Sequence, residues 1–233
     1  MNFRTIAILF LSGIVLASCS NGVNTNKKLT TELDSVSYSL GVDVAKNIQS
    51  GYVKELDYDA FAKGLKDIME DNELAFDESK MRPIINGYFQ KANQEAVQAN
   101  LIEGREFLEE NKTKEGIQVT ESGLQYKVLE EGTGIQPVAT DSVVVHYTGT
   151  LIDGTVFDSS YDRGQPATFV LNQVIPGWKE GVLLMKEGAK YKLFLPTELA
   201  YATRVRQGGP IPPNAALIFE VELLEVIENP VEE

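Results

Sequence analysis

The chain has 233 residues, 43% of them hydrophobic, enough for two ordinary domains and at least one sizeable core. Thirty-four acidic against 21 basic side chains give a formal charge of -13, which argues against binding nucleic acid or an acidic membrane surface, since either needs clustered Lys and Arg. One cysteine and one histidine leave no internal disulfide and no histidine-rich metal site, so neither a metal nor a cofactor is expected.

At the start of the chain, Arg4 precedes an apolar run from Ile6 to Leu16, then Leu16-Ala17-Ser18-Cys19. The run is too short to span a bilayer and has the layout of a secretory signal over residues 1–18. Leu16 to Cys19 resemble the bacterial lipobox, whose cysteine is lipidated and becomes the new N-terminus, so lipidation is expected at Cys19. A plain signal peptide with an incidental cysteine is the alternative. Ser20 after the cysteine, in place of Asp, resembles the pattern that sorts lipoproteins to the outer membrane, here facing the periplasm. Residues 19–30, rich in Asn, Thr, Ser, Gly and Lys, read as a flexible tether.

Helical periodicity follows. Val36, Leu40, Val44 and Ile48 recur at four-residue steps, with Asp34 or Ser35 as N-cap and Gly51 as the stop. A second helix fits Asp57 to Asp71, capped by Asp57, with Phe61, Leu65, Ile68 and Met69 in one stripe. Asp77 caps a third, which runs from Glu78 to about Asn111 and would reach on the order of 50 Å. Pro83 falls in its first turns, where a missing N–H costs least. Such stripes are too long for a small closed body, so residues 31–112 are expected to dimerise, a closed monomeric bundle being the alternative.

Beyond Lys112 the period becomes two. Leu124, Tyr126 and Val128 alternate with polar neighbours, and further strands are expected at Val143–Thr150, Ala167–Leu171, Lys190–Leu195 and Ala215–Ile227. Pro176-Gly177 opens one short helix, Trp178 to Met185. Antiparallel strands with one helix give an α+β half-barrel over residues 113–233. Gly132-Thr133-Gly134 and Gly208-Gly209 lack the Lys and helix of a phosphate loop and read as turns.

Three segments of this half carry chemistry. They are His146-Tyr147-Thr148-Gly149 with Phe157-Asp158-Ser159-Ser160, then Val174-Ile175-Pro176-Gly177-Trp178, then Ala200-Tyr201 ahead of Pro210-Ile211-Pro212-Pro213-Asn214 and Phe219-Glu220-Val221. In this order and spacing they resemble the FKBP-type peptidyl-prolyl cis/trans isomerases over roughly Gly123 to Ile227. The helical half is similar in arrangement to Mip- and FkpA-like envelope proteins, which join a dimerisation region to the isomerase through a long helix. The resemblance implies an isomerase that assists folding of exported proteins, with a chaperone role; a non-catalytic clamp on unfolded proline-containing chains is the alternative.

By the same resemblance, Trp178 is the floor under the proline ring, with Tyr147, Phe157, Phe169, Val174, Ile175 and Phe219 as walls. Tyr201 hydroxyl and the Ile175 N–H become donors to substrate carbonyls, Ile211 sits on an overhanging loop, and Asp158 is the pocket carboxylate with Arg163 within pairing reach. Macrolide inhibitor binding is implied as well. Taken singly, each aromatic reads as core, Asp158 as a turn cap and His146 as a structural member of its strand. Departures from the family pattern lie in the loop: Ala202 stands where a glycine is usual, Arg204 and Arg206 add two charges that would favour acidic flanking residues, and Ala167 replaces an aromatic of some relatives.

Overall fold

The computed structural model describes residues 23–206 and 208–228, so the signal segment and Cys19 lie outside the described residues. Helix α1 spans Glu32–Gln49, α2 Tyr58–Met69 and α3 Glu78–Asn111. Asp57 and Asp77 cap α2 and α3 as expected, the Asp57 carboxylate accepting from the Asp59 and Ala60 N–H groups and that of Asp77 from the Ser79 N–H. The cap of α1 is Thr31 instead of Asp34 or Ser35. Thr31 Oγ1 accepts from the Asp34 N–H at 3.1 Å while Asp34 Oδ2 accepts from the Thr31 N–H at 3.1 Å, a reciprocal box that satisfies two orphan donors at once. Lys27 pairs with the other carboxylate oxygen, and this contact with the local N–H donors holds the Asp34 carboxyl far below its ordinary range.

The helical stripes face solvent. Leu33, Leu40, Leu65 and Ile68 are each 60% exposed or more, and α1, α2 and α3 share no extended packing face within one chain. That rules out a closed bundle formed by one copy of residues 31–112. One close approach pins the α1 end to α3: a Cβ at Gly51 would lie 2.3 Å from the Phe89 ring, so the chain can turn there only over a glycine.

The rest is an open, seven-stranded antiparallel sheet. Its strands are β1 Ile117–Val119, β2 Gln125–Glu130, β3 Ser142–Leu151, β4 Val156–Ser159, β5 Ala167–Val170, β6 Lys190–Leu195 and β7 Leu217–Ile227. The order is β1-β2-β6-β7-β3-β4, with β5 also paired to β3 at its opposite end from β4. Period-two burial is clear along the central pair: Val143, Val145, Tyr147 and Gly149 of β3 face inward, as do Leu217, Phe219, Val221 and Leu223 of β7.

Against that inner face packs α4, Pro176–Leu183, which begins two residues earlier than the sequence implies because Pro176 occupies the first turn itself. Gly177 and Gly181 let α4 lie directly on β6, since a Cβ at either would come within 2.7 Å of Leu195 or Leu193. Trp178, Val182 and Met185 join the sheet residues in one core. On the outer face a second small cluster seats the end of α3, with Leu108 against Phe194 and Ala216. There, Asn111 donates to Gln125 Oε1 at 2.9 Å and Gln125 Nε2 donates to the Leu108 carbonyl at 2.8 Å, a buried amide pair that ties helix to sheet.

Candidate active site

The three sequence segments converge on one cavity of about 460 Å³ at the mouth of the half-barrel. Trp178 forms its base, placed by the first turn of α4 and only 4% exposed. Three rings meet it nearly edge-on: Phe169 at 5.2 Å and 74°, Tyr147 at 5.6 Å and 82°, Phe219 at 5.9 Å and 81°. Such T-shaped pairs each contribute about 0.5–1.5 kcal/mol beyond area burial and fix the Trp178 ring plane. Phe157 stands against Phe219 at 5.5 Å, over Gly149, where a Cβ would lie 2.5 Å from the Phe157 ring. Val174, Ile175 and Ile211 complete the apolar wall, joined by Gln173 and Pro210.

Polar groups are few and sit at one side. Tyr147 Oη donates to Asp158 Oδ2 and accepts from Arg163 Nη2 at 3.0 Å, while Arg163 Nη1 donates to Asp158 Oδ1, closing a three-member ring of hydrogen bonds. The Arg163 guanidinium also lies 5.5 Å from the Tyr147 ring centroid. Burial first, then the bond to Asp158, pushes the Tyr147 phenol above the ordinary tyrosine value; the bonds to Tyr147 and Asp158 raise Arg163 in turn. Arg163 itself does not line the cavity, so it reaches the site through Tyr147 and Asp158.

Two donors at the rim are unengaged. The Tyr201 hydroxyl bonds to no described residue, and burial followed by the charge of Asp158 raises its pKa, which keeps the O–H a donor. The Ile175 N–H, immediately ahead of α4, likewise has no acceptor among the described residues, although its carbonyl takes the first helical N–H groups. The buried indole Nε1 of Trp178 also has no partner.

Behind the wall, Ser160 is fully buried and holds the Tyr147 backbone: its Oγ accepts from the Tyr147 N–H at 2.8 Å and contacts His146 Nδ1 at 2.9 Å. His146 stacks on Tyr161 at 4.4 Å and is a strand member, as read from its alternation. The turn after β4 is capped by Ser159 Oγ, which accepts from the Asp162 N–H at 3.2 Å, while both Asp158 carboxylate oxygens are engaged by Tyr147 and Arg163. Over the mouth runs the segment from Ala202 to Asn214, closed at its base by the Asn214 N–H on the Ala202 carbonyl at 2.9 Å. Asn100 of α3 braces it from outside by donating to the Pro213 carbonyl at 2.8 Å. No sequence period announces Ser160, Asn100 or Gln173.

Family models match both halves: the FKBP-type peptidyl-prolyl cis-trans isomerase over residues 133–224, and the domain amino-terminal to it over residues 33–128. The chain is 45% identical over 234 residues to "Outer membrane protein MIP" of Legionella longbeachae, covering 97% of both chains. The chain belongs to the FKBP-type isomerase family. It is also 44% identical to the FKBP-type 22 kDa peptidyl-prolyl cis-trans isomerase of Escherichia coli K12, across 82% of this chain and 94% of that one. The crystal structure of FkpA from Escherichia coli superposes with a TM-score of 0.65 at 34% identity, covering 87% of this chain and all of the other. The FKBP fold expected from the strand and motif pattern, with its long connecting helix, is therefore present here.

Proposed function

We propose that this chain is a peptidyl-prolyl cis/trans isomerase for exported proteins, working through the cavity over Trp178. The observation that carries the reading is an apolar aromatic cup with two unengaged donors, Tyr201 Oη and the Ile175 N–H, at its rim. Rotation about a prolyl amide faces a barrier of ~18–20 kcal/mol because conjugation gives the C–N bond double-bond character. An apolar surround disfavours the charge-separated resonance form, and rim donors hold carbonyls of the twisted segment. No proton transfer is required, which suits a site without a free histidine or paired carboxylates.

In this reading Trp178 floors the proline ring, Tyr147, Phe157, Phe169, Val174, Ile175 and Phe219 wall it, and Ile211 closes over it. Asp158 is the carboxylate presented to the twisted amide, and Arg163 orients it. Residues 1–18 serve as signal, 19–30 as tether from a lipidated Cys19, 31–112 as dimerisation region and 113–233 as isomerase body, in the periplasm at the outer membrane. The exposed stripes of α1 and α2 support the homodimer, and macrolide inhibitor binding is assigned to the same apolar cup. Those stripes also favour a second reading, in which two clefts on long helices hold unfolded clients by avidity.

The test is catalysed exchange of a short Xaa-Pro peptide. Asp158→Ala is expected to cut turnover about ten-fold or more and Tyr201→Phe about two- to ten-fold, the scale of a charged and a neutral hydrogen bond. Wild-type protein that binds the peptide but leaves exchange unaccelerated would establish the clamp instead.

A further inference from the structure

A second cavity of about 190 Å³ adjoins the prolyl cavity and shares Tyr201, Pro210 and Ile211 with it. Its remaining wall is Arg204, Val205, Arg206 and Gly209, so a peptide seated over Trp178 continues directly into a space with an apolar floor and two cations. Arg204 and Arg206 are exposed, and neither side chain forms an ion pair or hydrogen bond with another described residue. Asp158, whose charge reaches Tyr201, lines the adjoining prolyl cavity and is held by Tyr147 and Arg163. Glu198 is the only acid between Leu195 and Glu220, and it pairs with Arg105 of α3 at 3.6 Å. In a molecule of formal charge -13, this is a positive island placed against the cleft.

The loop is also held where it is. The Asn214–Ala202 bond closes its base, Asn100 grips the Pro213 carbonyl, and a Cβ at Gly208 would lie 3.0 Å from Ser50, so the loop rests on the corner after α1. A cation on a braced loop loses less entropy on pairing than one on a free tail.

We propose that this second cavity is a subsite for an acidic side chain, Asp or Glu, flanking the substrate proline, with Arg204 and Arg206 as its partners. The assignment rests on the prolyl cavity being the peptide site. Continuity of the two cavities supplies the path, and the unpaired guanidinium groups supply the chemistry: each presents a planar fork that matches a carboxylate. Pairing falls within a Debye length of about 8–10 Å, so the local attraction acts at contact despite the acidity of the whole molecule.

Full-length protein is tested on an otherwise identical peptide series with Glu, Gln, Lys or Leu placed first before and then after the proline. Both catalysed exchange and peptide affinity are read by NMR. Gln is the neutral isostere. At one of the two positions KM and Kd for Glu are expected to lie about two- to five-fold below those for Gln, the scale of an exposed ion pair. That ratio should fall to about one in Arg204→Gln/Arg206→Gln and invert toward Lys in Arg204→Glu/Arg206→Glu, an inversion that a merely structural loop would not give. Equal values for Glu and Gln in the wild type, a preference for Leu alone, or a Glu preference that survives the Gln pair would overturn the subsite. The affinity arm stands apart from turnover: a Glu preference in binding without exchange would refute the isomerase reading and keep the subsite.

Discussion

At Ala202, in the loop beside the cavity, sequence and backbone conflict directly. Its φ of 51° lies in the left-handed region, where a Cβ costs roughly 1–2 kcal/mol and glycine costs nothing. Asn214, across the loop closure, has a φ of 57° but belongs to a residue type that tolerates it. Ala202→Gly is therefore expected to stabilise the protein by about 1 kcal/mol, after the added freedom of the unfolded chain is subtracted, raising Tm by about 2–4 °C in calorimetry. A lower Tm would mean that the loop gains more from Ala202 packing than it loses in backbone strain. The pocket phenols set a second expectation. Both Tyr147 and Tyr201 are pushed above the ordinary value of 10.0, mainly by burial, so each O–H persists to higher pH than in a free tyrosine. Peptide exchange should accordingly show no tyrosine-linked loss up to about pH 10 and fall only beyond it. A decline centred near pH 8 would assign the limiting donor to some other group.

At the scale of elements, the junction of α3 with the sheet depends on a polar contact in an apolar setting. Asn111 and Gln125 are 3% and 4% exposed; Asn111 donates to Gln125 Oε1, and Gln125 Nε2 donates to the Leu108 carbonyl. Asn111→Ala leaves the Gln125 carbonyl oxygen buried without its donor, and the expected loss is about 1–3 kcal/mol, read as a lower urea midpoint with an unchanged slope. The long, strongly patterned elements were legible in the chain: α2, α3, β3, β6 and β7 run where periodicity and caps place them. β1 and β4 were not, because three- and four-residue edge strands have no room for a period and mix exposed with half-buried positions. The cap of α1 escaped for a related reason. Thr31 and Asp34 are both good caps, and only their reciprocal hydrogen bonds show which one begins the helix.

For the whole molecule, the exposed stripes of α1 and α2 and the seat of α3 on the sheet divide the labour. A fragment beginning at Leu101 keeps Leu108 on Phe194 and Ala216 and loses the Asn100 brace; it is expected to be monomeric in sedimentation, to turn over short peptides within about ten-fold of the full chain, the scale of that one hydrogen bond, and to hold unfolded protein less well. One beginning at Thr113 bares that cluster and should be measurably less stable. If the Leu101 fragment remained a dimer, the helices would not be the dimerising region.

What the amino-acid order determined by itself was type and chemistry: helical against two-residue periods, and an aromatic set around Trp178 whose spacing resembles one family. Those features are local, or are strings of residues, so they can be read along the chain. Tertiary structure alone decided that Arg163 bonds the Tyr147 hydroxyl as well as Asp158, that Ser160 holds the Tyr147 backbone, and that Asn100 braces a loop 113 residues away. Such contacts join positions far apart in sequence, and their geometry depends on how β3, β4 and α3 are brought together, which no period records.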